Sequence, residues 1–333
     1  NGWAKDGATA LAGWVPASDG KHLAYSIQDG GSDWRTIKVL DVATGKPMDD
    51  EVKWAKFTGI AWVGNDAFLY SRFPEPKKDD EFQSLNLNQT VYYHKVGTAQ
   101  SKDIPVYSTP DRPKLNHSAE VTHDGQYVLV TSSSGTDEKY ELHMMPIGKG
   151  SWKAQTLVKG FDYEWNLVEG VGDTLYFVTN KDAPKLKVVK TDLSKSVETD
   201  VACPVDTESS TCSEVSFVFE DVVAEREETL SRAQIVGERL VLSYMQHAKS
   251  VAETTDLDGN RKSQINLTAI GTASGFSGKP GNPETFYRFS SFNQPGAIYR
   301  FDSVSGESKV FAAAKLAFDP DEVTIEQRFY PSK

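Results

Sequence analysis

The chain has 333 residues, 47 acidic against 36 basic, a formal net charge of −11, and 38% hydrophobic content. That is enough to bury a large core, while no apolar run reaches the roughly eighteen residues of a membrane helix and the opening residues NGWAKDGATA form no leader, so the sequence reads as soluble, with cytoplasm and periplasm both open. The acidic balance repels a phosphate backbone and no basic run is interleaved with aromatics, which excludes nucleic acid as the expected partner.

Six segments share one pattern in chain order: SDGKHLAYSI (18–27), GNDAFLYSRF (64–73), HDGQYVLVTS (123–132), GDTLYFVTNK (172–181), GERLVLSYMQ (237–246) and NPETFYRFSS (282–291). Each opens with a polar turn and continues as a β-branched or aromatic run, which predicts a hairpin turn feeding a buried strand. Further strand pairs lie between them, at 36–48, 91–107, 185–193 and 297–311. The spacing of roughly 45 to 65 residues matches a four-stranded propeller blade with loop insertions. The segment VVAEREETLSR from Val222 is short and charged, and reads as a connector holding at most one turn of helix. The expected fold class is all-β, a β-propeller of four-stranded blades with about six complete units in this chain.

The blocks GSDWRTIKVLD (31–41), YYHKVGTAQSKDI (92–104), AEVTHDGQYVLV (119–130), GFSGKPGNPETFYRFSSFNQPGAIYRFD (275–302) and FYPSK (329–333) carry a resemblance. In combination they resemble the propeller domain of the prolyl oligopeptidase family of serine peptidases. The resemblance runs from about Trp3 to Lys333. It implies a seven-bladed propeller over an α/β-hydrolase domain that cleaves short peptides after proline. On this reading residues 1–333 are one propeller domain excised from a larger chain, with the hydrolase domain as its partner in cis, short proline-containing peptides as ligands, no cofactor, and a monomeric state. The catalytic serine, aspartate and histidine lie beyond Lys333 in the family's order. No Gly-x-Ser-x-Gly elbow occurs; in GTASGFSG (271–278), Ser274 and Ser277 each lack a required glycine.

The resemblance also transfers residues of the peptide cleft. A cleft aromatic in a VKF-like segment corresponds to Phe57 in AKF, the alternative being that Phe57 is ordinary blade core. A methionine of some relatives corresponds to Asn116, giving a more polar wall, and a cysteine and nearby arginine correspond to Thr136 and Ser133, so thiol and cation are both absent there.

Other motifs point to no chemistry. Cys203 and Cys212 bracket CPVDTESSTC, which is compatible with a short disulfide or with two free thiols. The six histidines show no metallopeptidase spacing, and no metal is expected. DLDGN (256–260) lacks the later oxygens of a calcium loop and reads as a turn. The competing reading is a standalone propeller that binds peptides or proteins as a scaffold, although the tryptophans, at 3, 14, 34, 54, 62, 152 and 165, show no one-per-blade signature.

Overall fold

The computed structural model describes residues 8–331 except 29, 78–83, 149, 151, 202–211 and 318; of residues 200, 201, 212–214 and 321 only the backbone is described. Cys203, and with it the Cys203–Cys212 pairing, therefore lies outside the described residues. Among the described residues the strands form one eight-stranded antiparallel sheet, described below as a first and a second four-stranded sheet, four further four-stranded sheets and one separate hairpin. The first sheet is β1 (Ala10–Pro16), β2 (His22–Gln28), β3 (Arg35–Asp41) and β4 (Lys46–Ala55). The second is β5 (Ala61–Val63), β6 (Ala67–Arg72), β7 (Thr90–Lys95) and β8 (Ile104–Tyr107), joined to the first by one ladder pair, Ala55 opposite Arg72. The third is β9 (Leu115–Val121), β10 (Tyr127–Ser134), β11 (Tyr140–Pro146) and β12 (Gln155–Val158). The fourth takes β13 (Trp165–Val171), β14 (Thr174–Thr179), β15 (Lys187–Asp192) and, after an inserted hairpin of β16 (Val197–Val201) and β17 (Cys212–Ser216), β18 (Phe219–Val223). The fifth is β19 (Thr229–Val236), β20 (Arg239–Gln246), β21 (Lys249–Asp256) and β22 (Ser263–Ile265); the sixth is β23 (Thr272–Lys279), β24 (Asn282–Ser290), β25 (Ala297–Asp302) and β26 (Ser308–Ala312).

Each of the six repeated segments supplies the second strand of a sheet, as the turn-and-strand pattern predicts. The turns need the left-handed backbone that glycine adopts freely. Gly237 has φ +63°, and a Cβ there would stand 3.1 Å from Pro283 Cα, so a side chain would be strained in conformation and tight in space. The 222–232 segment holds no helix: β18 ends at Val223 and β19 begins at Thr229. Pairing with β20 extends that backbone, and Arg226 between them reaches Glu253 at 3.1 Å while its guanidinium lies 3.3 Å from the Tyr244 ring. The DLDGN turn closes on itself, with Asp256 Oδ1 accepting from the Asp258 and Asn260 amides.

Two compact units result, Asn1–Tyr163 with Val197–Ser216, and Glu164–Ser196 with Phe217–Lys333. Within each, cores lie between consecutive sheets. In the first unit, Ile37, Val39, Val52, Phe68 and Tyr70 form one core, and Leu69, Val91, Val106, Val128, Val130 and Met145 the next. Strand β6 is thus buried on both faces, which is why its sequence is a continuous apolar run without alternation. In the second unit, one core joins the fourth and fifth sheets and another the fifth and sixth. Alternation returns on β24, where Thr285, Tyr287 and Phe289 are buried while Phe286 and Arg288 are exposed.

One polar group is locked inside the first unit. The His94 ring on β7 is fully buried, with Nδ1 2.7 Å from Asp103 Oδ1 and Nε2 3.0 Å from Asp50 Oδ1 on β4. Tyr70 Oη and the Gly97 amide donate to the same two carboxylates. Both ring nitrogens thus face carboxylate oxygens, an arrangement that favours the doubly protonated ring. Burial alone would lower the imidazole pKa, but the hydrogen bonds and charges of Asp103 and Asp50 outweigh it and raise it. This imidazolium ties the first sheet to the second. His117 has the opposite character: burial first, then the charges of His143 and Arg112, push it down to about 4, so it is neutral at pH 7.

The signs follow from linkage. His94, with a raised folded pKa, contributes stability that is complete below about 6.5 and is lost as pH rises through its folded value. His117 contributes stability that is complete above about 6.5 and is lost as pH falls towards 4. Urea unfolding from pH 5 to 9 is expected to show stability falling on both sides of about pH 6.5. His94→Gln is expected to abolish the alkaline limb and cost about 3 to 5 kcal/mol at pH 6, as loss of one partner from a buried ion pair does. A wild-type midpoint that is flat from pH 6.5 to 9 would contradict the buried imidazolium.

Candidate functional site

The residues expected to face a peptide stand at one end of the sheets of the first unit. Ala55, the last residue of β4, pairs with Arg35 at the start of β3 and with Arg72 at the end of β6, which pairs with Thr90 at the start of β7. Phe57 follows β4 directly. The third sheet presents Asn116 and Ser133 as direct cross-strand partners, at the start of β9 and the end of β10. Thr136 is exposed in the turn after β10.

Phe57 is not blade core, being 49% exposed. Its φ of 52° and that of Trp54, 63°, are conformations that bulky residues rarely adopt and that cost about 1 to 3 kcal/mol each. Surrounding structure holds them. The Phe57 ring meets buried Phe73 edge-on at 6.4 Å, Phe73 meets Trp34, and Trp34 meets Trp54 at 5.6 Å. The Lys56 ammonium lies between two of these rings, 4.9 Å from the Trp34 centroid and 5.1 Å from Phe57, with Asp33 at 3.8 Å. A half-exposed aromatic patch with one cation inside it suits an apolar side chain in a polar chain.

Buried Gln89 fixes the patch to the third sheet. Its Nε2 donates to Lys56 O at 2.8 Å, and its Oε1 accepts from the His117 amide, next to Asn116. Ser71 reinforces the tie, its amide donating to Thr58 Oγ1 and its hydroxyl to His117 O at 2.6 Å. The His117 ring is itself held between Thr109 Oγ1 at 3.0 Å and Ser132 Oγ at 2.9 Å. The structure thus brings Asn116 and Ser133 together, ties the backbone at 56–57 to His117 through Gln89, and leaves Thr136 on the turn after β10.

Two groupings resemble hydrolytic centres and carry no such chemistry. Ser132–His117–Thr109 has hydroxyls on both ring nitrogens and no carboxylate behind. In the other, Thr156 Oγ1 is 3.3 Å from His143 Nδ1, and His143 Nε2 is 3.0 Å from Glu141 Oε1. Here Thr156 and His143 are ladder partners in a strand pair whose register shifts between Leu142 and His143, and Glu141 is engaged bidentately by Arg112 at 2.7 and 3.2 Å. A strand ladder supplies no pair of free amides for a tetrahedral oxyanion. Glu141 is the ladder partner of Ser132, next to Ser133, and neutralises Arg112.

A family profile described as the N-terminal β-propeller domain of prolyl oligopeptidase matches residues 1–314. The chain belongs to the prolyl oligopeptidase family. It is similar to the prolyl endopeptidase of Elizabethkingia meningoseptica, 32% identical over 333 residues that cover 100% of this chain and 44% of that protein. The prolyl endopeptidase of Dictyostelium discoideum is 27% identical over 379 residues, covering 100% and 48%. Among solved structures, one from a structural and mechanistic study of two prolyl endopeptidases and their inter-domain dynamics superposes with a TM-score of 0.82 at 42% identity, over 95% of this chain and 43% of that one. Prolyl oligopeptidase B from Galerina marginata, bound to a 35mer hydrolysis and macrocyclization substrate, gives 0.81 at 26% identity over 96% and 44%. The chain therefore spans less than half the length of these relatives. The six sheets are blades of the prolyl oligopeptidase propeller.

Sequence reasoning missed Gln89, His117, Trp34 and Lys56 as supports of this site. Trp34 lies in the GSDW block and was available as a signal; Gln89 shows none, because its role depends on a contact 28 residues away. Gln89→Leu leaves the His117 amide and the Lys56 carbonyl without a partner and is expected to lower unfolding free energy by about 2 to 4 kcal/mol. Thr136→Ala, in an exposed turn, is expected to stay within about 0.5 kcal/mol in the same urea titration.

Proposed function

We propose that residues 1–333 form the noncatalytic, substrate-gating propeller of a serine peptidase that cleaves short peptides on the carboxyl side of proline, with its nucleophile, base and carboxylate on a hydrolase domain outside this chain. The observation that carries the reading is the propeller-domain match over residues 1–314 in a chain covering 44% of a prolyl endopeptidase. The full protein is read as a monomer in which propeller and hydrolase domain act in cis. A further blade, formed by chain outside residues 1–333, covers the face of the first sheet on which Leu11 and Trp14 are 48% and 60% exposed.

The physical case for gating is that blades above a peptidase site leave room for short, flexible chains and keep out folded proteins. Closing the site also removes bulk water, which strengthens fixed donors around a developing oxyanion. In this arrangement Phe57 packs on an apolar side chain of the peptide, Asn116 and Ser133 form a polar stretch of the wall, and Thr136 borders it on the turn.

The test compares residues 1–333 with the full-length gene product on a chromogenic peptide ending in proline. Cleavage is expected from the full protein only; turnover by residues 1–333 alone, or none by the full protein, would overturn the assignment. In the full protein Phe57→Ala is expected to raise KM for an N-blocked Gly-Pro substrate about threefold to tenfold with kcat little changed, corresponding to about 1 kcal/mol of lost apolar contact.

A further inference from the structure

Among the described residues the most exposed large apolar side chain is Phe292, at 98%. It lies in the loop between β24 and β25, a loop built to hold one shape. Ser291 N–H donates to Gln294 O at 3.0 Å, and Ser291 Oγ donates to Asn293 Oδ1 at 2.6 Å. Asn293 Nδ2 donates in turn to Pro320 O at 2.8 Å and Val323 O at 3.0 Å. A fully solvated phenylalanine on a cross-tied loop gains nothing for the sheet that carries it, and interfaces draw most of their binding energy from a few large side chains held on such rigid supports.

The topology indicates what it anchors. Ser290 at the end of β24 pairs with Thr272 at the start of β23, and Ile298 near the start of β25 pairs with Ala312 at the end of β26. The loop with Phe292 therefore sits at the end of the sixth sheet from which the chain departs after β26. The departing segment is fastened there, through Asn293 and again at the β20–β21 turn. There Gln327 Nε2 donates to His247 O, and the Phe329 ring packs edge-on against the His247 ring at 5.0 Å. Both turn residues, His247 and Ala248, have positive φ, 48° and 61°. Phe329 and Tyr330 remain 71% and 85% exposed, so three aromatic rings stand bare on the loop and segment that share these ties.

We infer that Phe292 is the docking knob of this domain, entering an apolar pocket of the hydrolase domain in the same polypeptide, with Phe329 and Tyr330 flanking it. This rests on the reading that such a domain follows in the full protein. The Asn293 ties to 320 and 323 hold the knob in a fixed place relative to the departing chain, so docking needs little ordering.

The test uses the full-length protein with Cys203→Ser and Cys212→Ser, carrying either Phe292→Cys or Val304→Cys. Val304 is 72% exposed in the turn between β25 and β26, at the opposite end of the same sheet. With a small water-soluble disulfide reagent, the thiol at 292 is expected to react at least tenfold more slowly than the thiol at 304. Equal rates overturn the inference. Protection that disappears on dilution into the nanomolar range also overturns it, since the cover is then a second copy of the chain. A second readout needs no thiol: Phe292→Ala is expected to speed thermolysin cleavage within 313–331 about fivefold or more, and Phe292→Leu to restore the wild-type rate; wild-type rates in Phe292→Ala count against docking. Failure of the functional reading is separate, because it appears as absence of proline-peptide cleavage by the wild-type protein whatever the thiol rates.

Discussion

Strand β6 sends Phe68 and Tyr70 into one core and Leu69 into the next, and this two-sided burial governs the first unit. Its sheets are held to one another by side chains far more than by backbone, with a single ladder pair, Ala55 and Arg72, connecting the first two. Apolar contact is non-directional and on its own would allow one sheet to slide over another. The buried His94 ring supplies what apolar contact lacks, because from β7 it reaches Asp50 on β4 of the first sheet and Asp103 just before β8, and its short hydrogen bonds fix their register.

The site inherits that rigidity. Phe57 is kept in an unfavourable backbone conformation by a chain that runs from Lys56 O through Gln89 to the His117 amide, and from Ser71 to the His117 carbonyl. His117 performs this with a neutral ring between two hydroxyls, so the ring adds no buried charge to the bracket. The charges nearby, Arg112 with Glu141 and Lys56 with Asp33, are paired, and the surface offered to a ligand is mainly aromatic ring and uncharged polar side chain.

The fold was legible where local chemistry repeats. Tight polar turns before apolar runs marked all six second strands, and family blocks such as GSDW and SSFNQPG marked the propeller. The site was legible only in part. Phe57 could be matched through its segment, but its exposure and strain follow from tertiary contacts with Phe73 and Gln89. Histidines proved least readable. Nothing local separates His94, doubly protonated between carboxylates, from His117, neutral between hydroxyls, because each takes its protonation from residues brought in by other strands. The 222–232 segment is a connector as read, and the one helical turn its Ala, Glu and Arg would allow does not form, because pairing with β20 and the reach of Arg226 to Glu253 extend the backbone.

The β16–β17 hairpin shows what side-chain coupling allows. It is inserted between β15 and β18, yet those strands still pair, Val188 with Val223 and Thr191 with Phe219, as though the intervening residues were absent. A sheet that shares few main-chain bonds with its neighbours can receive new sequence at a loop while the disturbance stops at its own border. Variation in such an architecture accumulates sheet by sheet, and a protein of this kind can acquire an appendage without renegotiating the rest of its core.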